Sequence, residues 1–140
     1  MGHLGIRVAI GVTGGLALFA LAVSFAHFGL GGLPQLDATF GFLLYLEALV
    51  IGVALEEYWW RGRLFDGLLK AVSPWAAVSI TSMGFAILHM FGSGRDPYLF
   101  PLFFGYGVVL GLCKLITGSL MTTLLAHSLG NALLLVSAIQ

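Results

Sequence analysis

Residues 54–63 read Ala-Leu-Glu-Glu-Tyr-Trp-Trp-Arg-Gly-Arg, and this stretch decides how the rest of the chain is arranged. It places Glu56, Glu57 and Arg61 at the end of an apolar run that is long enough to enter a bilayer. An ionisable side chain at membrane depth is costly, and it is therefore taken as functional by default. We predict that these charges face the interior of a membrane-embedded bundle.

The composition of the whole chain supports a membrane location. Of the 140 residues, 59% are hydrophobic and 9% are charged, whereas about a quarter of residues are charged in a soluble domain. The formal net charge is zero, so no basic surface indicates a nucleic-acid partner. The single cysteine, Cys113, excludes an internal disulfide and a cysteine-based metal cluster. Membrane lipid is the partner that this composition predicts.

We predict an all-α fold, a polytopic membrane helical bundle of about five transmembrane helices with about 20 residues each. Residues 1–140 are expected to form a single integral membrane domain, with residues 8–28 as an accessory first span and residues 39–138 as the core that carries the site. Clusters of glycine and proline mark the breaks. The later spans are expected near residues 39–55, 75–90, 98–116 and 119–138. Residues 62–73 mix charges with leucines, which is typical of a helix that leaves the lipid and lies along its surface.

The basic residues predict an orientation. One face of a five-span bundle collects four of them, and the opposite face has one, Arg95. The four are Arg7, Arg63, Lys70 and Lys114. Because basic residues concentrate in cytoplasmic connections, we expect a cytoplasmic N-terminus and a site that opens toward the cytosol. The expected location is the cell membrane of a bacterium or an archaeon.

Glu56 and His89 are expected to lie at the same depth. If the turn between the second and third spans is near Val72, Glu56 is sixteen residues before it and His89 seventeen residues after it. In an antiparallel helical hairpin both would stand about 24 Å from the turn, at about 1.5 Å per residue. Phe85 shares the helical face of His89 and is expected to form a wall of the same cavity.

His127 is counted from a different turn. It lies nine residues beyond the turn near Gly118, or about 13 Å deep, which leaves a mismatch of about 10 Å with the other two groups. A tip of residues 62–73 that projects beyond the membrane would bring all three groups level. The alternative, in which His127 belongs to another layer of the bundle, stays open on the sequence alone.

Helical spacing divides the two glutamates between different tasks. Glu57 and Arg61 are four residues apart, which is the spacing of an ion pair on one helix face. Glu56 is turned about 100° away and is left free of that pair. His127 and Asn131 are also four residues apart, so both can point into one cavity.

These groups suit the hydrolysis of a peptide bond without a covalent intermediate. Such a reaction needs a base that takes a proton from water and donors that stabilise the oxyanion. Glu56 is the candidate base, and His89 would hold the same water. His127 and Asn131 carry donors suited to the oxyanion. This interpretation requires no cofactor.

A metal centre is the open alternative. Glu56, His89 and His127 would form a two-histidine, one-carboxylate set for a divalent metal such as zinc, with a position left for water. The zinc signature His-Glu-x-x-His is absent, because neither histidine is followed by Glu.

The ordered motifs resemble those of the CAAX protease and bacteriocin-processing family (CPBP, also called Abi), whose members include the type II CAAX prenyl endopeptidases. Its Glu-Glu-x-x-x-Arg motif matches Glu56 to Arg61, its Phe-x-x-x-His motif matches Phe85 to His89, and its His-x-x-x-Asn motif matches His127 to Asn131. The resemblance covers about residues 45–135, with the motifs in the family's order. Each motif alone is weak, but the ordered set is specific.

The resemblance implies a glutamic-type intramembrane endopeptidase, of a kind formerly described as a metalloprotease. The implied catalytic residues are Glu56, His89, His127 and Asn131, and the supporting residues are Glu57, Arg61 and Phe85. The substrate would be a prenylated CAAX-type protein, a leader peptide or a C-terminal sorting signal that enters from the cytosolic side or laterally. The competing class is a non-enzymatic membrane protein, such as an immunity, scaffold or transporter-like protein that uses the polar cluster structurally.

The three aromatic residues after the glutamates, Tyr58, Trp59 and Trp60, are bulkier than is usual in this family. Two interpretations are open. The rings could narrow a substrate groove, or they could anchor the helix at the membrane interface, where Trp and Tyr are enriched. We expect anchoring.

Overall fold

The computed structural model describes residues 2–30, 50–92 and 97–138. All regular structure in these three ranges is helical. Four of the described helices are long and apolar enough to cross a membrane, namely His3–Gly29, Pro74–Phe91, Pro97–Thr117 and Leu120–Ala138. The predicted all-α membrane bundle is therefore confirmed. Most of the predicted second span, residues 39–49, lies outside the described residues.

Five helices are used below, numbered in chain order. Helix α1 is His3–Phe25, extended by a π-helical turn over Ala26–Leu30. Helix α2 consists of three consecutive segments, Gly52–Glu57, the π-helical Tyr58–Leu64 and Phe65–Leu68. Helix α3 is Pro74–Gly92, α4 is Phe100–Thr117 after a short 3₁₀ turn over Pro97–Leu99, and α5 is Leu120–Ala138. The last three membrane-spanning helices, α3, α4 and α5, begin and end within a few residues of the predicted spans. Helix α1 begins five residues earlier than the sequence predicts.

Local sequence chemistry explains where the helices begin and end. Pro74 is the first residue of α3, a position where its missing N–H is not needed. The Ser73 hydroxyl accepts a hydrogen bond from the Ala76 N–H at 3.3 Å, as a residue preceding a helix often does. Helix α4 ends at Thr117, and Gly118 follows with a φ of 63°, in the left-handed region that favours glycine. Ser73 and Pro74 thus mark the turn before α3, and Gly118 marks the turn after α4.

The end of α2 and the start of α3 pack beside the last turns of α4. Helix α2 continues to Leu68, and Asp66 near its end accepts a 3.0 Å hydrogen bond from Lys114. The same Lys114 ammonium also donates to the carbonyl of Gly118, the residue after α4. Leu68 and Leu115 pack against one cluster of Phe65, Ala77 and Val78, so this connection lies near the level of the α4–α5 turn. The projecting tip that the depth argument for His127 invokes is not seen, and the direct contact between His127 and Glu57 places His127 in the same layer.

Small residues allow the helices to approach closely, as is common in membrane bundles. A Cβ on Gly15 of α1 would lie 2.8 Å from the Leu129 side chain of α5, and a Cβ on Gly130 would lie 2.8 Å from Leu18. Between α3 and α4, a Cβ on Gly107 would lie 2.6 Å from the Cα of Ser82. The backbones of α3 and α4 are therefore in direct contact beside the polar residues of the bundle.

The contact at Gly107 yields a stability prediction. Gly107→Ala should lower the stability of the folded protein by about 1–3 kcal/mol, because the added methyl group meets backbone atoms that cannot move aside cheaply. The measurement is the thermal unfolding midpoint in detergent.

Gly67→Ala is the matched control, since a Cβ there meets nothing within 4 Å. Its midpoint should be unchanged or raised, because Ala favours a helix over Gly. Equal midpoints for the two variants would contradict the close α3–α4 contact.

Candidate active site

Three helices bring the motif residues to one cavity of about 300 Å³. Its lining includes all five residues that the sequence places in a shared cavity: Glu56 from α2, Phe85 and His89 from α3, and His127 and Asn131 from α5. The remaining wall is largely apolar and consists of Ala22, Gly52, Val53, Leu102, Phe103, Tyr106 and Leu134. The first span, expected to be accessory, thus contributes Ala22 to the wall.

The Glu56 carboxylate lies between the two histidines. Its Oε1 is 3.4 Å from Nε2 of His89, and its Oε2 is 3.9 Å from Nε2 of His127. The Glu56 side chain is 32% exposed, so water can reach it. A partly hydrated carboxylate with an imidazole on each side is an arrangement that can bind and polarise a water molecule.

Glu57 and Arg61 form a buried ion pair with 0% of either side chain exposed. Arg61 donates from Nη1 to Glu57 Oε1 at 3.0 Å, and from Nη2 to the carbonyl of Gly107 at 3.3 Å. Nδ1 of His127 lies 2.9 Å from the same Glu57 oxygen. The sequence predicts the pair and a role for it at the helix end; the structure shows that the pair also holds a histidine of another helix.

These contacts determine which nitrogen of each histidine carries a proton. Glu57 is ionised, since its partner Arg61 is always charged, and a carboxylate can only accept a hydrogen bond. Nδ1 of His127 must therefore donate. Nδ1 of His89 lies 2.9 Å from the carbonyl oxygen of Phe85, which also only accepts. Both histidines consequently present Nε2 to Glu56.

Aromatic rings hold His89 in place. The His89 ring lies between Phe85 and Phe103, with centroid distances of 4.0 and 4.7 Å. Phe85 also has the Arg61 guanidinium 4.8 Å from its ring centroid, so one side chain touches both polar centres. The sequence analysis missed Phe103, because an aromatic residue near the start of a span cannot be told from ordinary packing by its spacing.

The residues named for a metal are not arranged as a metal site. Within residues 2–30, 50–92 and 97–138, no group of three His, Cys, Asp or Glu side chains is placed to hold an ion. Activity measured with a chelator present tests whether the reaction needs an ion.

Comparison with known families settles which family this site belongs to. The family model described as Type II CAAX prenyl endopeptidase Rce1-like matches residues 37–133. The chain belongs to this family. The match includes every motif residue from Glu56 to Asn131, and it confirms the resemblance to the CAAX proteases. No curated protein and no solved structure matched the chain.

The Rce1-like family membership and the four membrane helices together identify an integral membrane protein of a protease family. Because the family is one of proteases, peptidase activity is tested before the competing non-enzymatic function.

The buried pair yields a stability prediction. Arg61→Gln should destabilise the protein by about 3–5 kcal/mol, because it leaves the Glu57 carboxylate buried without its partner. The double variant Glu57→Gln with Arg61→Gln should recover part of this loss, since no unpaired charge then remains. Unfolding midpoints of the single and double variants in detergent measure the difference. A double variant less stable than Arg61→Gln alone would contradict the assignment.

Proposed function

We propose that this Rce1-like protein is an intramembrane endopeptidase in which Glu56 activates water to cut a peptide bond. The observation that carries the proposal is the position of the Glu56 carboxylate, 3.4 Å from His89 Nε2 and 3.9 Å from His127 Nε2. The candidate substrates are a prenylated CAAX-type protein, a leader peptide and a C-terminal sorting signal. The favoured mechanism uses no metal.

In the first step Glu56 takes a proton from water. His89, whose Nε2 lies 3.4 Å from Glu56 Oε1, hydrogen-bonds the same water and aligns it. The water oxygen attacks the carbonyl carbon of the scissile bond, and the carbonyl electron pair moves onto its oxygen. A tetrahedral intermediate with one negative charge results.

His127 and Asn131 stabilise that charge. Nδ1 of His127 donates to Glu57, which leaves Nε2 facing the cavity beside Glu56. In the imidazolium form that nitrogen carries a proton and donates to the oxyanion. The Asn131 amide, on the same cavity wall, adds a donor that does not titrate.

The second step breaks the peptide bond. The oxyanion electrons re-form the carbonyl, the C–N bond breaks, and Glu56 returns its proton to the leaving amine. The products are a new carboxyl terminus and a new amino terminus. Because Glu56 begins and ends as a carboxylate, the site is ready for another water.

Loss of the Glu56 carboxylate should abolish most of the activity. We expect Glu56→Gln to lower kcat by about 10²–10⁴, the usual contribution of a general base, with the unfolding midpoint retained. Cleavage of a peptide library by the purified protein, followed by mass spectrometry, is the assay. On the metal-free mechanism, a strong chelator leaves the wild-type rate unchanged and metal analysis finds no stoichiometric ion.

Two results would contradict this proposal. Loss of activity with chelator, restored by zinc, would replace the metal-free mechanism with a metal-dependent one. A wild type that cleaves nothing, while Glu56→Gln and His127→Ala both fold and perform the cellular task, would support the non-enzymatic class.

Asn131 should matter for the transition state rather than for binding. Asn131→Ala is expected to lower kcat by about 10²–10³ with little change in KM, the usual result of removing one oxyanion donor. Ser137→Ala is the control on the same helix, since that exposed hydroxyl bonds only the Leu133 carbonyl in the described structure. A large rise in KM at unchanged kcat would assign Asn131 to substrate binding instead.

A further inference from the structure

The catalytic cavity has a polar group in its wall to which the proposed reaction gives no task. Tyr106 of α4 lines the cavity together with Glu56, His127 and Asn131. The residue is 6% exposed, so nearly all of it lies inside the bundle. The sequence analysis missed it, because a tyrosine within an apolar span cannot be told from ordinary packing by its spacing. Its hydroxyl is nevertheless a hydrogen-bond donor at the wall of the site.

The Tyr106 hydroxyl is buried and has no hydrogen-bond partner in the described part of the chain. Most buried polar groups in native proteins are paired, and an unpaired one lowers the stability of the fold. A phenylalanine would pack in the same place without that loss, as Phe85 and Phe103 do on either side of His89. The hydroxyl is therefore suited to a partner that enters the cavity.

Anchoring at the membrane surface does not account for this tyrosine. Tyrosine is enriched where a span meets the interface, but Tyr106 lies six residues inside α4, counted from its start at Phe100. Six residues advance about 9 Å along the helix axis at about 1.5 Å per residue. Tyr98, which precedes α4 and is 77% exposed, fits the interfacial position instead. Tyr106 belongs to the interior of the site.

The ring contacts of Tyr106 place it with the donors that serve the oxyanion. Its ring meets the His127 ring edge-on, with the centroids 6.2 Å apart and the planes at 70°. Asn131 follows His127 one turn later on the same helix. His89, which aligns the water, packs against other aromatic rings. The position beside His127 thus groups the Tyr106 hydroxyl with the oxyanion donors rather than with the residues that hold water.

We propose that the Tyr106 hydroxyl donates a hydrogen bond to the oxyanion of the tetrahedral intermediate, beside His127 and Asn131. The proposal rests on the peptidase function above and adds a third donor to it. Tyrosine hydroxyls serve in the oxyanion holes of other enzymes, and a phenol is protonated at neutral pH. A hydrogen bond to a charged oxygen is stronger than one to a neutral carbonyl. The hydroxyl therefore stabilises the intermediate more than the bound substrate.

A donor of this kind differs from a packing residue in two measurable ways. In the free protein, loss of the hydroxyl removes an unpaired polar group and breaks no hydrogen bond, so stability should not fall. During the reaction, the same loss removes a bond to a developing charge, so the rate should fall. A tyrosine that serves packing alone would lose stability and keep its rate.

The test compares Tyr106→Phe with the wild type, both purified in detergent, on one peptide that the wild type cleaves in the library. We expect kcat to fall about 10²-fold with little change in KM, as for the loss of one oxyanion donor. The unfolding midpoint should stay the same or rise. Tyr58→Phe is the matched control, since Tyr58 is 47% exposed and does not line the cavity. That variant should keep both kcat and the midpoint.

A double variant tests whether Tyr106 and Asn131 donate to the same oxygen. If they do, the loss of kcat in Tyr106→Phe with Asn131→Ala should differ from the product of the two single losses, because groups that act on one atom are coupled. Single losses that simply multiply would place the Tyr106 hydroxyl on another atom and overturn the oxyanion assignment.

The outcomes separate this proposal from the peptidase function. A Tyr106→Phe variant that cleaves at the wild-type rate, or that raises KM at unchanged kcat, would overturn the oxyanion role and leave the peptidase intact. A midpoint that falls together with the rate would assign Tyr106 to packing, with the same consequence. A wild type that cleaves no peptide would reject the peptidase, and with it the oxyanion that Tyr106 is proposed to bind.

Discussion

The buried Glu57 carboxylate is the constraint on which the rest of the bundle depends. A charge with no exposed surface is tolerated only with partners, and Glu57 obtains two, Arg61 from its own helix and His127 from α5. Arg61 in turn donates to the Gly107 carbonyl of α4 and lies over Phe85 of α3. Four helices are therefore tied to one ion pair. Any shift of one helix against another would cost one of these contacts.

The same constraint separates the two neighbouring glutamates into different tasks. Glu57 forms the buried ion pair with Arg61 and orients His127. Glu56 has 32% of its side chain exposed and faces the cavity. A π-helical segment, Tyr58–Leu64, begins directly after the two glutamates. Within it, Arg61 is buried and Arg63 is exposed. Such segments are frequent at functional sites. Here the segment supplies Arg61, the cation that partners Glu57.

Much of this arrangement could be predicted from the sequence. Hydropathy and glycine breaks predict most of the helix bounds, and four-residue spacing predicts the Glu57–Arg61 pair. The depth of His127 could not be fixed, because counting residues from a turn does not give the level of one helix against another, which the contact between His127 and Glu57 decides. The His127–Glu57 contact was also missed. Helical periodicity gives the face of a residue on its own helix but not its partner on another.

The central claim is that Glu57 holds the His127 ring through its Nδ1, and this claim can be tested directly. Nitrogen-15 NMR of labelled protein in lipid reports which imidazole nitrogen carries a proton. The contact of 2.9 Å between His127 Nδ1 and the Glu57 carboxylate predicts that Nδ1 carries a proton. A neutral His127 with its proton on Nε2 and a bare Nδ1 would contradict the account, because the ring would then not be held by Glu57 or turned toward Glu56.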